Sequence, residues 1–483
     1  MHALTGNKTR AGQGSGVTAG LAVLCVAQFV VVLDVTIVTT ALPVLGADLG
    51  FAAARLSWVI TAYTVVLAGL LVLGGRVADL VGAARMFRVG LALFSVASLA
   101  CALAWSPDAL IGARIAQGAG AALLSPAALA ALTDLVPPAQ RRTALGWWTA
   151  AAAGGGASGW VLGGLITEYA GWRWVFAVNV PIGVIAYLVS LRAVRTRARE
   201  DRAATTLDLP GAVLATTGIA AAALGLTWLA EAPTQWHGWA SVVMAAALLG
   251  LFVRTERRVR EPLVPGSLLR TPGVVAGNLT AAALTASTTP AMFTVTLYVQ
   301  ETLRLSPAKG ALLFPALNLA VIGGSLVGPV GLRRFSVRSI LFGGFGLVVA
   351  GIGLLFALPP RGLPVVLLVG ALLLMGFGLG CASVASTTVG TAHVRPGERG
   401  IAGGVLNSSA QLGTALGLAV ASPLIASAAP MTGYRLGFAV AAVIAASGLL
   451  AALTTPAGPS TADAAEPAEA ADAPGRTSPG RLG

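Results

Sequence analysis

The sequence predicts an all-α membrane protein of fourteen transmembrane helices, arranged as two groups of six around a central pair. Three observations predict it. Only 10% of the 483 residues are charged and 56% are hydrophobic, whereas soluble domains carry about 25% charged residues. Apolar runs of roughly twenty residues, the length that crosses a bilayer as a helix, recur along the chain from Thr18 onward. The basic residues fall unevenly on the connections between those runs.

The runs lie near 18–41, 57–76, 86–105, 109–133, 143–167, 174–193, 209–230, 238–253, 273–299, 308–330, 338–358, 363–389, 401–427 and 434–454. The first is too long for the core of a signal peptide and lacks a convincing cleavage site, so it reads as a retained helix. With the N-terminus placed in the cytoplasm, the outer connections hold six basic residues: Arg55, Arg173, Arg304, Lys309, Arg361 and Arg435. Arg114 falls within a span, and the other 24 of the 31 Lys and Arg lie on the inner side. Such an excess marks cytoplasmic loops. It predicts an even number of spans, both termini in the cytoplasm and residence in the cytoplasmic membrane. The net charge of +13 is thus topology, and no nucleic-acid partner is expected.

Residues 1–17 read as a cytoplasmic N-terminal segment and 18–193 as the first six-helix half. Residues 194–272 form a linker that carries two uncharged inserted spans, and 273–454 form the second six-helix half. The stretch 455–483, rich in Ala, Pro, Asp and Glu, cannot bury a core and reads as a disordered cytoplasmic tail. GGRVADLVGAAR (74–85) after the second span and VGPVGLRRFSVR (327–338) after the second span of the last six form a weak repeat. Parallel six-helix repeats are one of the building plans of secondary transporters.

The chemistry concentrates on few residues. Asp34 is the one charge in the first span, within LDVTIVTTALP (33–43), and a mid-membrane carboxylate must face a polar interior or a cavity. Arg114, in GARIAQGAGAA (112–122), is the only basic residue deep in any span, and Gln117 shares its helix face. GWWTAAAAGGGASGWVLGG (146–164) sets Gly155, Gly159, Gly163 and Gly164 where small residues let helices approach closely. Gln117, Asn278, Asn318, Asn407 and Gln411 are candidates to line a substrate cavity, with Gln28 and Thr285 as further polar positions. Residues of this kind are more often helix–helix glue than ligand contacts. Trp172 and Trp174 suit a membrane interface. The only lysines, Lys8 and Lys309, follow no glycine, so there is no P-loop. His2, His237 and His393 are isolated, and Cys25, Cys101 and Cys381 sit in apolar runs. No metal, cofactor or enzymatic site is expected.

These motifs occur in the order found in the major facilitator superfamily, and the chain resembles its fourteen-helix drug:proton antiporter branch over most of 18–454. WRWVFAVNVPIG (172–183), LYVQETLRLSPAKGALLFP (297–315) and GIAGGVLNSSAQLGTALGLAV (400–420) point to the same branch. The resemblance implies two halves rocking about a central site, functional as a monomer and driven by protons rather than by a cofactor. It implies export of hydrophobic small molecules. Asp34 would carry the proton, biased by Arg114; the alternative is a static salt bridge between them. Gly75, Asp79, Gly82 and Arg85 would form a conformational latch. Leu80 stands where the family usually has Arg, and Ala83 and Ala84 replace part of its basic end, which weakens that latch. Gly155, Gly159, Gly163 and Gly164 would seal the halves, although Trp160 replaces the usual Pro. An importer or facilitator on the same fold, or a membrane receptor without transport, stays open at this point.

Overall fold

The computed structural model describes residues 5–52, 55–137, 140–194, 209–231, 235–259, 266–362, 364–392, 394 and 399–455. The 195–208 stretch of the linker and nearly all of the expected tail lie outside the described residues. Among those described there are helices and no strands. They are α1 (Thr5–Leu49), α2 (Trp58–Val81), α3 (Ala83–Ala102), α4 (Pro107–Leu135), α5 (Arg141–Tyr169), α6 (Arg173–Ala177), α7 (Asn179–Ala193), α8 (Leu209–Glu231), α9 (Trp236–Glu256), α10 (Gly266–Leu269), α11 (Pro272–Leu297), α12 (Pro307–Ala311), α13 (Phe314–Gly331), α14 (Val337–Leu355), α15 (Val365–Ala392), α16 (Arg399–Ala426) and α17 (Pro430–Leu453). A π-helical turn, Tyr298–Thr302, follows α11.

Among the described residues, twelve stretches are long and apolar enough to cross a bilayer by length and composition. Two further helices match them in length, α5 with 29 residues and α11 with 26. They fall short only in apolarity, α5 because of its Gly and Ala, α11 because of its Thr residues and Asn278. With these two, all fourteen expected spans have a helical counterpart. Three details differ from the sequence reading. The first helix starts at Thr5, well before the run at 18, although its apolar span begins at Val17. α9 has 21 residues, longer than the apolar run 238–253. The sixth span is split into α6 and α7 at Val178, where Pro181 has no N–H to offer Ala177.

α1 packs on α5, α2 on α4 and α3 on α4; in the second half α11 packs on α16 and α17, and α15 on α13 and α14. α8 lies against both α2 and α16, so the inserted pair touches both halves. Val65 of α2, Ala223 of α8 and Ala415 and Ala419 of α16 form one small apolar cluster there. α9 is mostly left to its surroundings, with Trp239, Val243 and Met244 exposed.

The core shows how the halves meet. One large cluster joins Leu33 to Leu45 of α1, Leu56 to Ile60 and Trp160 with Leu284 to Val299, Phe314 and Phe438 of the second half. A second cluster, running from Val23 to Val31, Tyr63 to Leu71, Phe87 and Ala121 to Val136, stays within the first half. The residues at the opposite end of the second half, Leu268, Val274, Val394 and Ala402, form their own group. Among the described residues the apolar core therefore joins the halves at the end that holds the C-terminus of α1, with α2 also packed on α16, and no shared cluster links them at the other.

The turn between α2 and α3 is one residue, Gly82. Its φ of 104° lies where a side chain strains the backbone, and its N–H closes α2 on Ala78 O at 3.0 Å. Gly75, expected in the turn, is instead inside α2, within packing distance of Pro126 of α4. Asp79 lies in the last turns of α2, its side chain outside the described residues, and Arg85 is exposed at the start of α3.

Candidate functional site

Asp34 sits midway along the span of α1, and Arg114 lies two turns into α4. Both side chains are fully buried, and they pair directly, Arg114 Nη1 to Asp34 Oδ2 at 2.5 Å. Two amides complete the cage: Gln117 Nε2 and Asn179 Nδ2 donate to Asp34 Oδ1 at 2.8 and 3.0 Å. Gln117 Oε1 accepts from Arg114 at 2.7 Å, and its Nε2 also donates to Ser98 Oγ at 2.9 Å. Arg114 Nε donates to Val59 O at 2.8 Å, while its guanidinium lies 4.3 Å from the centre of the Tyr63 ring. Five helices thus converge on one carboxylate. α1 provides the acid, α2 a carbonyl and an aromatic face, α3 a hydroxyl, α4 the cation and α7 an amide.

Two buried charges lose several kcal/mol of hydration each, and only close pairing with further hydrogen bonds offsets this. The cage supplies both, but not fully. Arg114 Nη2, Asn179 Oδ1 and Tyr63 Oη are buried with no partner among the described residues. An unmet buried polar atom costs about 1–3 kcal/mol, so a conformation that gave these atoms partners would be favoured on that count.

A second set of contacts crosses between the halves at the joined end. Gln300 Nε2 donates to Thr40 O at 2.9 Å, and Ala308 N donates to Glu168 Oε2 at 2.8 Å. Trp160 stacks on Phe314, ring centres 4.3 Å apart and planes 20° apart. Trp160 occupies the position where the resembled motif has Pro; α5 runs through it unbroken from Arg141 to Tyr169. The aromatic ring there is a cross-half contact. The glycine face of α5 divides in two. Gly155, Gly159 and Gly163 meet α1 at Phe29, Thr36 and Ile37, inside the first half, while Gly164 meets Pro307 and Ala311 of α12. Only the last of the four touches the seam.

The expected cavity residues do not form one group. Gln117 is fully buried in the Asp34 cage rather than on a cavity wall. Asn278 is tied to its own helix at Val274 O, 2.8 Å away, and accepts from Ser409 at 2.8 Å. Asn318 Nδ2 donates across the seam to Ala157 O at 2.7 Å. Gln28 accepts from Ser125, and Thr285 donates to Ala410 O. Asn407 is exposed and Gln411 half-buried, one turn apart on α16. Trp174 is 56% exposed as an interface residue would be, but Trp172 is buried and donates to Asp48 Oδ2 at 2.8 Å, pinning the end of α1.

Asn179 was legible as part of the WRWVFAVNVPIG motif, where it is the one amide in an apolar stretch, but nothing local said which carboxylate it serves. Tyr63 and Ser98 gave no signal at all.

A family profile described as Major Facilitator Superfamily matches residues 24–418. The chain is 38% identical over 421 residues to a cephamycin export protein of Amycolatopsis lactamdurans, covering 85% of each. It is 38% identical to a puromycin resistance protein of Streptomyces alboniger, covering 83% of this chain and 80% of that one. It is 33% identical to a tetracenomycin C resistance and export protein of Streptomyces glaucescens, covering 84% and 76%. Among solved structures, a POT family transporter bound to a thioalcohol-conjugated peptide matches with a TM-score of 0.67, 14% identity and coverage of 89% and 95%. A bacterial homologue of the lysosomal transporter Spinster, inward-facing and unoccupied, matches with a TM-score of 0.61, 16% identity and coverage of 91% and 98%. At these identities the structural likeness speaks for the fold.

Proposed function

The chain belongs to the major facilitator superfamily, and from that membership we propose that it is a proton-coupled antiporter exporting hydrophobic small molecules of the antibiotic class. It is a multi-pass membrane transporter rather than an enzyme. The observation that carries the export reading is similarity, over more than four-fifths of the chain, to proteins named for antibiotic export and resistance. The observation that supports proton coupling is the buried Asp34–Arg114 pair, the only acid–base pair fully buried among the described residues. In this reading Asp34 takes a proton from the outer side and releases it inside as substrate leaves. One charge moved through 100 mV carries about 2.3 kcal/mol. At about 1.4 kcal/mol per tenfold, it sustains roughly a 40-fold substrate gradient. No cofactor is required, and one chain holds the whole path.

The expected result in everted vesicles is that adding a transported antibiotic to energised membranes releases protons and accumulates drug inside. Accumulation in right-side-out vesicles instead would make the protein an importer, and no substrate-dependent proton flux in either would leave a receptor.

Both termini are placed in the cytoplasm of a cytoplasmic membrane by the basic asymmetry of the connections. The joined end of the halves is then the outer end, and this conformation opens inward. A tag after Gly483 is expected to label only when the inner face is exposed; labelling of intact cells overturns the orientation.

A further inference from the structure

Asn179 is the first residue of α7, where the sixth span breaks at Val178. Its side chain is buried. Nδ2 donates to Asp34 Oδ1 at 3.0 Å, while Oδ1 has no partner among the described residues. The far end of α7 is held by Arg88, whose Nη2 donates to Val194 O at 2.8 Å and to Ser190 O at 3.3 Å. An ionised carboxylate only accepts hydrogen bonds, so it faces the nitrogen of an amide; a carboxylic acid must donate and needs an oxygen. The rest of the cage does not supply that oxygen. Arg114 has no acceptor. Gln117 Oε1 already accepts from Arg114 Nη1 and Cys101 Sγ. Ser98 Oγ accepts from Gln117 and donates to Phe94 O. Val59 O accepts from Arg114. Tyr63 Oη is unpartnered, but it makes no bond to Asp34. The titratable groups around Asp34 are Tyr63 on α2, Cys101 on α3 and Arg114 on α4. α6 adds the Phe176 ring, and α5 meets this part of α1 with Gly155 and Gly159.

We infer that Asn179 is a positioning residue for the proton on Asp34: its amide donates Nδ2 to the carboxylate and turns to present Oδ1 to the acid. The inference rests on the reading of Asp34 as the proton carrier. When water delivers a proton to Asp34 Oδ1, the new O–H would meet the hydrogens of Nδ2. Half a turn of the amide about its Cβ–Cγ bond replaces the donor by an acceptor. One polar atom of Asn179 is unmet before the turn and one after it, first Oδ1 and then Nδ2, so the exchange adds no unmet group. A carboxylate at this position would repel ionised Asp34, and an apolar side chain would serve neither state. The two states are not served equally. A hydrogen bond to a charged group is worth more than one between neutral groups, so Asn179 favours the ionised form and eases release of the proton. The turn needs no movement of α7, whose far end stays tied to Arg88.

The test is acid-minus-base infrared difference spectroscopy on the full chain in lipid nanodiscs, with the Asp34 carboxyl band identified by its loss in Asp34→Asn. Asn179→Leu keeps a side chain of similar shape that neither donates nor accepts. It is expected to move the midpoint of the Asp34 band up by about one pH unit, the difference between a charged and a neutral hydrogen bond. Wild-type protein carrying isotope-labelled asparagine is expected to show one side-chain carbonyl band moving to lower frequency as Asp34 takes its proton. Asn179→Leu is expected to lose that band. Asn179→Val, a smaller apolar replacement, carries the same expectations should Leu reduce folded protein. An unchanged midpoint in either folded variant, whatever its thermal stability, makes Asn179 a packing residue and overturns the inference. A titrating Asp34 with no accompanying asparagine band overturns it as well. An Asp34 band that never titrates in the wild type overturns both this inference and the proton-carrier reading. A shifted midpoint in protein that shows no drug-driven proton release supports the inference and removes coupled export alone.

Discussion

Purified Asp34→Asn protein is expected to bind substrate but to build no gradient and to release no protons when drug is added. Asn keeps the size of the side chain and an oxygen for Arg114, but sets its amide nitrogen against the Gln117 and Asn179 donors; turning the Asn179 amide brings its unpaired Oδ1 round as an acceptor, so the cage is weakened but kept while the group that titrates is gone. The uphill ratio should fall from as much as roughly 40-fold to about 1, since without a coupled charge the 2.3 kcal/mol per 100 mV is lost. Arg114→Ala should fail differently. It leaves a carboxylate buried with two amide donors and no cation, and breaking one side of a buried pair costs about 3–5 kcal/mol, enough to reduce folded protein. If the pair is only a static bridge, both single variants lose folded protein and the double variant regains coupled transport. If Asp34 carries the proton, the double variant folds and remains uncoupled. Drug-driven proton release in proteoliposomes, measured on the two single variants and the double, separates these. Coupled export by Asp34→Asn alone would end the proton-carrier assignment.

Gly164→Leu is expected to force the halves apart at the joined end. A Cβ at Gly164 would stand 2.5 Å from Pro307 O and closer still to Ala311, both on α12. Overpacking of this kind costs about 1–3 kcal/mol, which shifts the balance between conformations by roughly five- to 140-fold. Thr40, fully buried here beside the Gln300 contact, reports the change. A cysteine at that position should react with a water-soluble thiol reagent roughly five- to 140-fold faster in the Gly164→Leu background. Gly159→Leu is the contrast. Its neighbours are Thr36 and Ile37 of α1, inside one half, so it should lower thermal stability without favouring separation of the halves. If the two variants behave alike, the division of the glycine face between packing and seam is wrong.

The two cases mark the boundary between what the chain states locally and what folding adds. The spans are local: twenty apolar residues cross a bilayer whatever surrounds them, so the positions of the helices were legible, including α5 and α11, whose small and hydroxyl residues make them the least apolar of the set. The importance of Asp34 and Arg114 was equally legible, because a charge deep in an apolar run is costly enough to need an explanation on its own. The four-residue spacing of Gly155, Gly159 and Gly163 announced one close-packed face. What none of this contained was the identity of the neighbour. Asn278 and Asn318 are both amides in apolar runs, yet one is tied within its own half and the other reaches across the seam. Gln117 follows Arg114 by one turn, which put it on the right face but not in the sealed cage, because a helix face has no label for inside or cavity. Trp160 read as the loss of a kink and became a stacking partner for Phe314, more than 150 residues away. A sequence of helices fixes hydropathy and periodicity, which are properties of one segment in a solvent. Pairing across a bundle depends on the relative placement of segments far apart in the chain, and only the tertiary structure decides that.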